Sequence, residues 1–264
     1  MSKGKYYFSK SLEKGLRILA LFDGETPVVN QSMVAKKLDL NMTSTYRYIN
    51  TLVEMGYLDK NPRTKEIRPA IQCLLMCVNM MQATDNLKII RQVVDDIHGA
   101  HNISIDVAIA VEDTLVRIYH REAEEALTYS LPESSKNCLH NTALGKACLA
   151  SLPDEEMVDK IKNMVLVAKT DKTIVDKVRL TEEIRLARDR GFAMQEEEYL
   201  PGVLAIAAPL YDPVTARGVG AVSFDFSILE HSTESIRQQY GGLIAVTAET
   251  ISKLLPPVPS LRQQ

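Results

Sequence analysis

The chain has 264 residues, which accommodates one large domain or two of ordinary size. Hydrophobic residues make up 45% and charged residues 25%; these are globular proportions, and with no apolar run of about 18 residues no membrane-spanning helix is expected. The formal net charge of −3 is unevenly spread: residues 1–69 hold 12 Lys and Arg against 7 Asp and Glu, a net of +5, which leaves −8 for the remainder. A basic segment ahead of an acidic body assigns a polyanion partner to the first part alone.

The opening "MSKGKYYFSK" has no apolar core behind its lysines, so no secretory signal is expected. Cys73, Cys77, Cys138 and Cys148 lack the spacing of a disulfide framework, as expected of reduced thiols in a cytoplasm. The first predicted helix covers residues 9–22, with Leu12, Leu16, Ile18, Leu19 and Phe22 on one broad face. A second runs over 31–38, with Asn30 as its cap and Val34, Ala35 and Leu38 turned inward. "DLN" makes a tight turn into a third helix over 43–55, with Tyr46, Ile49, Leu52 and Val53 on its apolar side and Thr43 as a possible cap. Gly56 stops that helix, and "YLDK-NPRT-KEIR" reads as two short strands around an Asn-Pro turn.

Two helices joined by a tight turn, a third in front and a hairpin behind make a winged helix-turn-helix. Its second paired helix enters the major groove, about 12 Å wide. The expected DNA-facing residues are Thr43, Ser44, Thr45, Arg47, Tyr48, Asn50 and Thr51. Short hydroxyls suit phosphate oxygens, and Arg47 suits a bidentate contact to guanine. On the wing, Lys60, Arg63, Lys65 and Arg68 face adjacent phosphates. The bland alternative is a three-helix core with an ordinary solvated face; the coincidence of basic charge with the helical pattern favours DNA.

"PAIQCLLMCVNMMQ" follows, and its apolar residues nearly encircle a helix, so a partner chain is expected to cover it. From Asn86 onward helices and strands alternate. "NLKIIRQVVDDIHGAH" is helical, "SIDVAIAVED" and "TLVRIYHRE" are paired strands, and "LTYSL" is a further strand. The helix "ALGKACLASL" comes next, then helical "EEMVDKI" and "VRLTEEIRLARDRG". Three strands, "FAMQEEE", "LAIAAPLYD" and "VGAVSFDF", lead to a terminal helix over 228–254. The expected fold class is α+β: a winged helix-turn-helix over 1–69, a linker and dimerisation helix over 70–84, and over 85–264 a sensor-like antiparallel sheet with flanking helices.

Catalytic and metal chemistry find little support. "ALGKA" fails as a phosphate loop, because His140 stands where the first Gly belongs and Ala147 where Ser or Thr belongs. Cys138, His140 and Cys148 match no zinc spacing, and buried thiols acting as small hydrophobes explain them better. Glu196, Glu197 and Glu198 read as a solvated acidic run with no second catalytic group. No enzyme, cofactor or metal is expected. The helix opening at Thr142 does offer unpaired backbone N–H groups to a carboxylate or hydroxyl.

Several segments in order along nearly the whole chain resemble the IclR-type transcription regulators: "SLEKGLRILALFDG", "MVAKKLDLNMTSTYRYINTLVEMGYL", "LHNTALGKACLASLP", "EEIRLARDRGFAMQEEEYLPGVLAIAAPLYD" and "GVGAVSFDF". "IRPAIQ" after the wing and "VVNQSMVA" at the second helix depart from that pattern. The resemblance implies a GAF-like effector domain and a regulator, more often a repressor, acting on an inverted-repeat operator in double-stranded DNA. It also implies a homodimer or dimer of dimers. Carried over by position, the effector pocket comprises Thr142, Ala143, Leu144, Gln195, Val203, Ala205, Ser223 and Asp225, and the expected effector is an organic or hydroxy acid. Many relatives carry a small hydroxyl residue where this chain has Asp225. Hydroxyl or other donor groups of the ligand are therefore expected toward Asp225, and its acid group over residues 142–144. The rival readings are a metabolic enzyme with an appended helical domain, and a DNA-binding protein whose second domain only oligomerises.

Overall fold

The computed structural model describes residues 8–24, 26–83, 85–111, 113–124, 134–136 and 138–256. Contacts cluster into two units, Met1–Thr84 and Asp85–Gln264.

In the first unit, helix α1 (Lys10–Leu19) is capped by Ser9, whose Oγ accepts from the Leu12 N–H at 3.3 Å. Helix α2 (Gln31–Lys37) is capped by Asn30 in the same way at 2.9 Å. Helix α3 (Met42–Glu54) begins one residue earlier than the sequence indicated: its cap is Asn41, whose Oδ1 accepts from Ser44 N–H at 2.8 Å, and not Thr43. Such caps satisfy N–H groups that lack intrahelical partners. Strands β1 (Leu58–Lys60) and β2 (Ile67–Pro69) pair antiparallel as the wing, and Val29 bridges to Ile67. Ile18, Val34, Ile49, Leu58 and Ile67 form the buried centre. Helix α4 (Ile71–Ala83) follows, with Ile71, Leu74, Leu75, Val78 and Met80 exposed.

The second unit opens with helix α5 (Asp85–His101) and strands β3 (Ser104–Val111), β4 (Thr114–Arg121) and β5 (Ser134–Lys136). Helices α6 (Ala143–Ala150), α7 (Asp154–Asn163) and α8 (Lys177–Arg190) come next, then strands β6 (Ala193–Glu196), β7 (Val203–Tyr211) and β8 (Gly218–Ser227), and helix α9 (Thr233–Leu254). The expected strand over 127–131 lies outside the described residues. The strands form one antiparallel sheet of order β5-β4-β3-β8-β7-β6. Because side chains alternate across a strand, its two faces differ. Ile105, Val107, Leu204, Ile206, Val222, Phe224 and Phe226 pack on one side with residues of α5 and α9. Ala108, Ala205, Ala207 and Ala221 face the other side, where they pack with residues of α6, α7 and α8.

Small residues on that second face let α6 lie close, and all eight of its residues are buried. Its Gly145 is required for that approach: a Cβ there would sit 2.3 Å from the Leu139 Cα and 2.5 Å from the Cys138 carbonyl oxygen. Helix α9 starts five residues later than the pattern predicted. Residues 228–231 instead turn off β8, with the Glu230 and His231 N–H groups donating to the Ser227 carbonyl, and a capping box of Ser232 and Ser235 opens the helix. The apolar pair Ile228 and Leu229 extended the helical pattern backward in the sequence but belongs to that turn.

Candidate functional site

The candidate DNA-facing surface rests on the α2–turn–α3 geometry. Asp39 in the turn takes φ of 50°, in the left-handed region that Asp tolerates, and Gln31 Nε2 donates to the Met42 carbonyl at 3.1 Å, which ties the two helices together. The inner stripe of α3 is Thr45, Ile49 and Leu52, spaced i, i+4, i+7. Thr45, expected to face DNA, is fully buried and donates its hydroxyl to the Asn41 carbonyl at 3.0 Å. Tyr48, also expected outside, is half-buried against the core, and Asn50 is half-buried. Tyr46, expected inside, is 50% exposed, and Lys60 from the wing lies over its ring at 5.4 Å. The outer stripe is therefore Thr43, Tyr46, Arg47 and Asn50, with Ser44 at its edge and Thr51 exposed beside it.

The wing cations fall into two groups. Arg63 is exposed at the turn, without an ion pair among the described residues. Lys65 folds back to donate to the Pro62 carbonyl at 2.7 Å, and Arg68 pairs with Glu66 at 3.6 Å. Sequence reading gave all of them to phosphates; the geometry leaves Arg63 and Lys60 the freer.

In the second unit, Thr142, Ala143 and Leu144 at the start of α6 meet Gln195, Val203, Ala205, Ser223 and Asp225 from the sheet around one small cavity. Asp106 and Tyr199 complete its wall. All eight sequence-derived positions are thus brought together. Its volume is about 20 Å³, room for about one water. Thr142 lines it, but its hydroxyl is committed to capping: Oγ1 accepts from the Gly145 N–H at 3.0 Å and donates to the Cys138 carbonyl at 2.7 Å. The N–H groups of Ala143 and Leu144 have no acceptor among the described residues. Gln195 spends both ends of its amide locally, accepting from the Glu198 N–H at 2.9 Å and donating to the Val203 carbonyl at 3.3 Å.

The floor is acidic. Register sets Ser104 opposite Asp225 and Asp106 opposite Ser223, so the four residues share one face. Asp106 is 1% exposed; His120 Nδ1 lies 2.9 Å and an Arg117 guanidinium nitrogen 3.5 Å from its Oδ1. Asp225 receives the Ser223 hydroxyl at 3.1 Å. Burial, and then the Asp106 charge, push its carboxyl well above the usual carboxylate range, against which the Ser223 bond acts.

Two family models match the chain, "IclR helix-turn-helix domain" over residues 11–62 and "Bacterial transcriptional regulator IclR C-terminal" over residues 78–253. The chain belongs to the IclR family. The repressor AllR of Salmonella typhimurium is 25% identical over 253 residues, covering 95% of this chain and 92% of its own. The regulator BhcR of Paracoccus denitrificans is 24% identical over 203 residues, covering 77% and 72%. Among solved structures, an IclR regulator from Silicibacter sp. TM1040 superposes with a TM-score of 0.75 at 18% identity, over 95% of this chain and 98% of the other. An IclR homologue from Microbacterium hydrocarbonoxydans, solved with 4-hydroxybenzoate, gives 0.65 at 16% identity, over 93% and 100%. This IclR protein is accordingly a helix-turn-helix transcription regulator, and no described helix is long and apolar enough to cross a membrane.

One residue lining this IclR cavity and one ion pair beside it were missed by the sequence reading. Asp106 was visible as the one charge inside the apolar strand "SIDVAIAV", where an inward carboxylate needs a reason. Lys146, set aside with the failed phosphate loop, is 1% exposed and pairs with Glu198 while its Nζ also reaches the Met194 carbonyl at 3.4 Å. Glu198, read as part of a solvated run, is 7% exposed, and burial raises its carboxyl above the ordinary range. The pair joins α6 to residues 197–202, the segment that carries Tyr199. Thr170 and Thr173 hold the same segment through the Glu197 and Glu198 carbonyls, each at 2.6 Å.

Proposed function

We propose that this IclR regulator acts as a dimeric repressor of an inverted-repeat operator and that a small metabolite in the α6 cavity changes its operator affinity. The observation that carries the reading is the cavity itself: a helix start with unpaired N–H groups placed over polar sheet residues in an otherwise alanine-lined layer. A core built only for stability would fill that space with apolar side chains. The repressor AllR and the 4-hydroxybenzoate-bound homologue are consistent with it.

In the same reading, Tyr46, Arg47, Thr43 and Asn50 meet the major groove and Arg63 and Lys60 the flanking phosphates. The narrow cavity admits a ligand when residues 197–202 swing outward. Glu197 (φ 53°) and Gly202 (φ 86°) bound that segment in left-handed conformations, and the Lys146–Glu198 pair transmits its position to α6.

Selection of bound fragments from a random DNA pool tests the proposal. Full-length protein should enrich a two-fold symmetric sequence whose binding weakens several-fold on doubling the salt, since neutralised phosphates release counterions. Enrichment of an unsymmetric site, or a flat salt response, would overturn it.

A further inference from the structure

The chemistry of the cavity floor narrows the class of ligand. This step rests on the reading of that cavity as the effector site. Two carboxylates stand on one face, one strand apart, and their hydrogen bonds are lopsided. Both contacts to Asp106, from His120 and Arg117, end on Oδ1; the Ser223 hydroxyl reaches Oδ2 of Asp225. Oδ2 of Asp106 and Oδ1 of Asp225 carry no protein hydrogen bond among the described residues, although Asp106 is 99% withdrawn from solvent. Both residues line the cavity, and acceptors facing so small a space without a protein donor are satisfied by a donor placed in it. Asp106 has a guanidinium and an imidazole beside it; Asp225 has only a hydroxyl.

A ligand carboxylate set against Asp225 would also face the Asp106 carboxylate one strand away. A single hydroxyl supplies one donor for two acceptors on different side chains. An NH₂ or NH₃⁺ group supplies two or three in a compact head. At the opposite wall the Ala143 and Leu144 N–H groups want an oxygen, which the helix start favours as an anion. We infer that the effector presents an amino or amide nitrogen to Asp106 and Asp225 and a carboxylate or carbonyl oxygen to Ala143 and Leu144. This chain thus departs from a plain organic-acid specificity through Asp225.

Oxamate and pyruvate make a matched pair of probes. They share a carboxylate, a carbonyl and nearly the same shape, and differ by an NH₂ in place of a CH₃. Calorimetric titration of the full-length protein should show oxamate binding tighter than pyruvate by about tenfold or more, the worth of about 1.4 kcal/mol. In Asp225→Ser the preference should vanish or reverse, and in Asp225→Asn it should shrink, with thermal melting confirming that both variants fold. Equal or tighter binding of pyruvate by the wild type would overturn the inference while leaving the cavity as the effector site. Binding of neither probe at millimolar concentration would overturn it too. If in addition Ala205→Phe, which fills the cavity, left operator binding and its response to a metabolite extract unchanged, the effector reading itself would fall.

Discussion

At the scale of single residues, Arg47 and Arg63 separate two tasks. Arg47 projects from the outer stripe of α3, where a guanidinium can address the edge of a guanine. Arg63 sits at the wing turn, where Asn61 Oδ1 accepts from the Arg63 N–H at 2.9 Å and fixes the loop. Arg47→Ala should relax base preference at one position of each half-site, at a cost of about 1–3 kcal/mol. Arg63→Ala should weaken all sequences alike and make the salt dependence shallower. Binding measured across a panel of single-base operator variants checks both; identical uniform losses would remove Arg47 from base readout. Asp225 gives a second residue-scale test. Its folded-state carboxyl is raised above its unfolded value, so the native state binds the extra proton. Stability therefore falls as pH rises through the window that begins at the unfolded value near 3.8. Asp225→Asn should raise the melting temperature at pH 7 by a few degrees and lose that advantage toward pH 3. A melting temperature lower than wild type at both pH values would contradict the assignment.

At the scale of elements, Gly145 decides whether α6 can lie where it does. The backbone atoms of Cys138 and Leu139 would meet an added Cβ, and backbone gives way poorly. Gly145→Ala should destabilise the second unit by about 1–3 kcal/mol and, by lifting the start of α6, blunt the ligand response more than operator binding itself. Chemical denaturation together with a ligand-response titration checks this. The elements also show where sequence reading succeeds. The cap at Asn30, the turn at Asn61 and the paired wing strands carry local signals, and the structure has each of them. The eight cavity positions came from resemblance and converge around one space. What local pattern missed was tertiary. Thr45 and Tyr46 exchange places relative to the hydrophobic pattern because the i, i+4, i+7 spacing of Thr45, Ile49 and Leu52 sets the inner stripe. A small Thr suits a close helix crossing, while Tyr46 keeps its ring outside under Lys60. Asp106 shows in sequence only as a charge inside an apolar strand, its partners being set by strand register, and the Lys146–Glu198 pair depends on which helix covers which face, which no short window carries.

At the scale of the whole molecule, charge and apolar surface divide along the chain. Residues 1–69 carry the +5 balance that draws DNA, whereas the rest is acidic and is expected to be repelled by it. Between the two in sequence lies α4, whose exposed Ile71 (62%), Leu74 (60%), Leu75 (44%) and Val78 (40%) form one apolar face, with Met80 (60%) exposed on the other side. A row of this kind on a lone chain is an association surface. Pairing of two copies about a two-fold axis covers the same patch on each, and a symmetric dimer in turn reads a symmetric operator. The expected outcome is a dimer or larger at micromolar concentration by light scattering. The double variant Ile71→Glu, Leu74→Glu should sediment as a folded monomer. Its affinity for a single half-site should be near that of wild type, but its affinity for the full operator should fall by about two orders of magnitude, because the second half-site is then no longer delivered at high effective concentration. A wild-type monomer at that concentration, or a double variant that binds the full operator undiminished, would show that α4 serves some end other than joining two DNA-binding units.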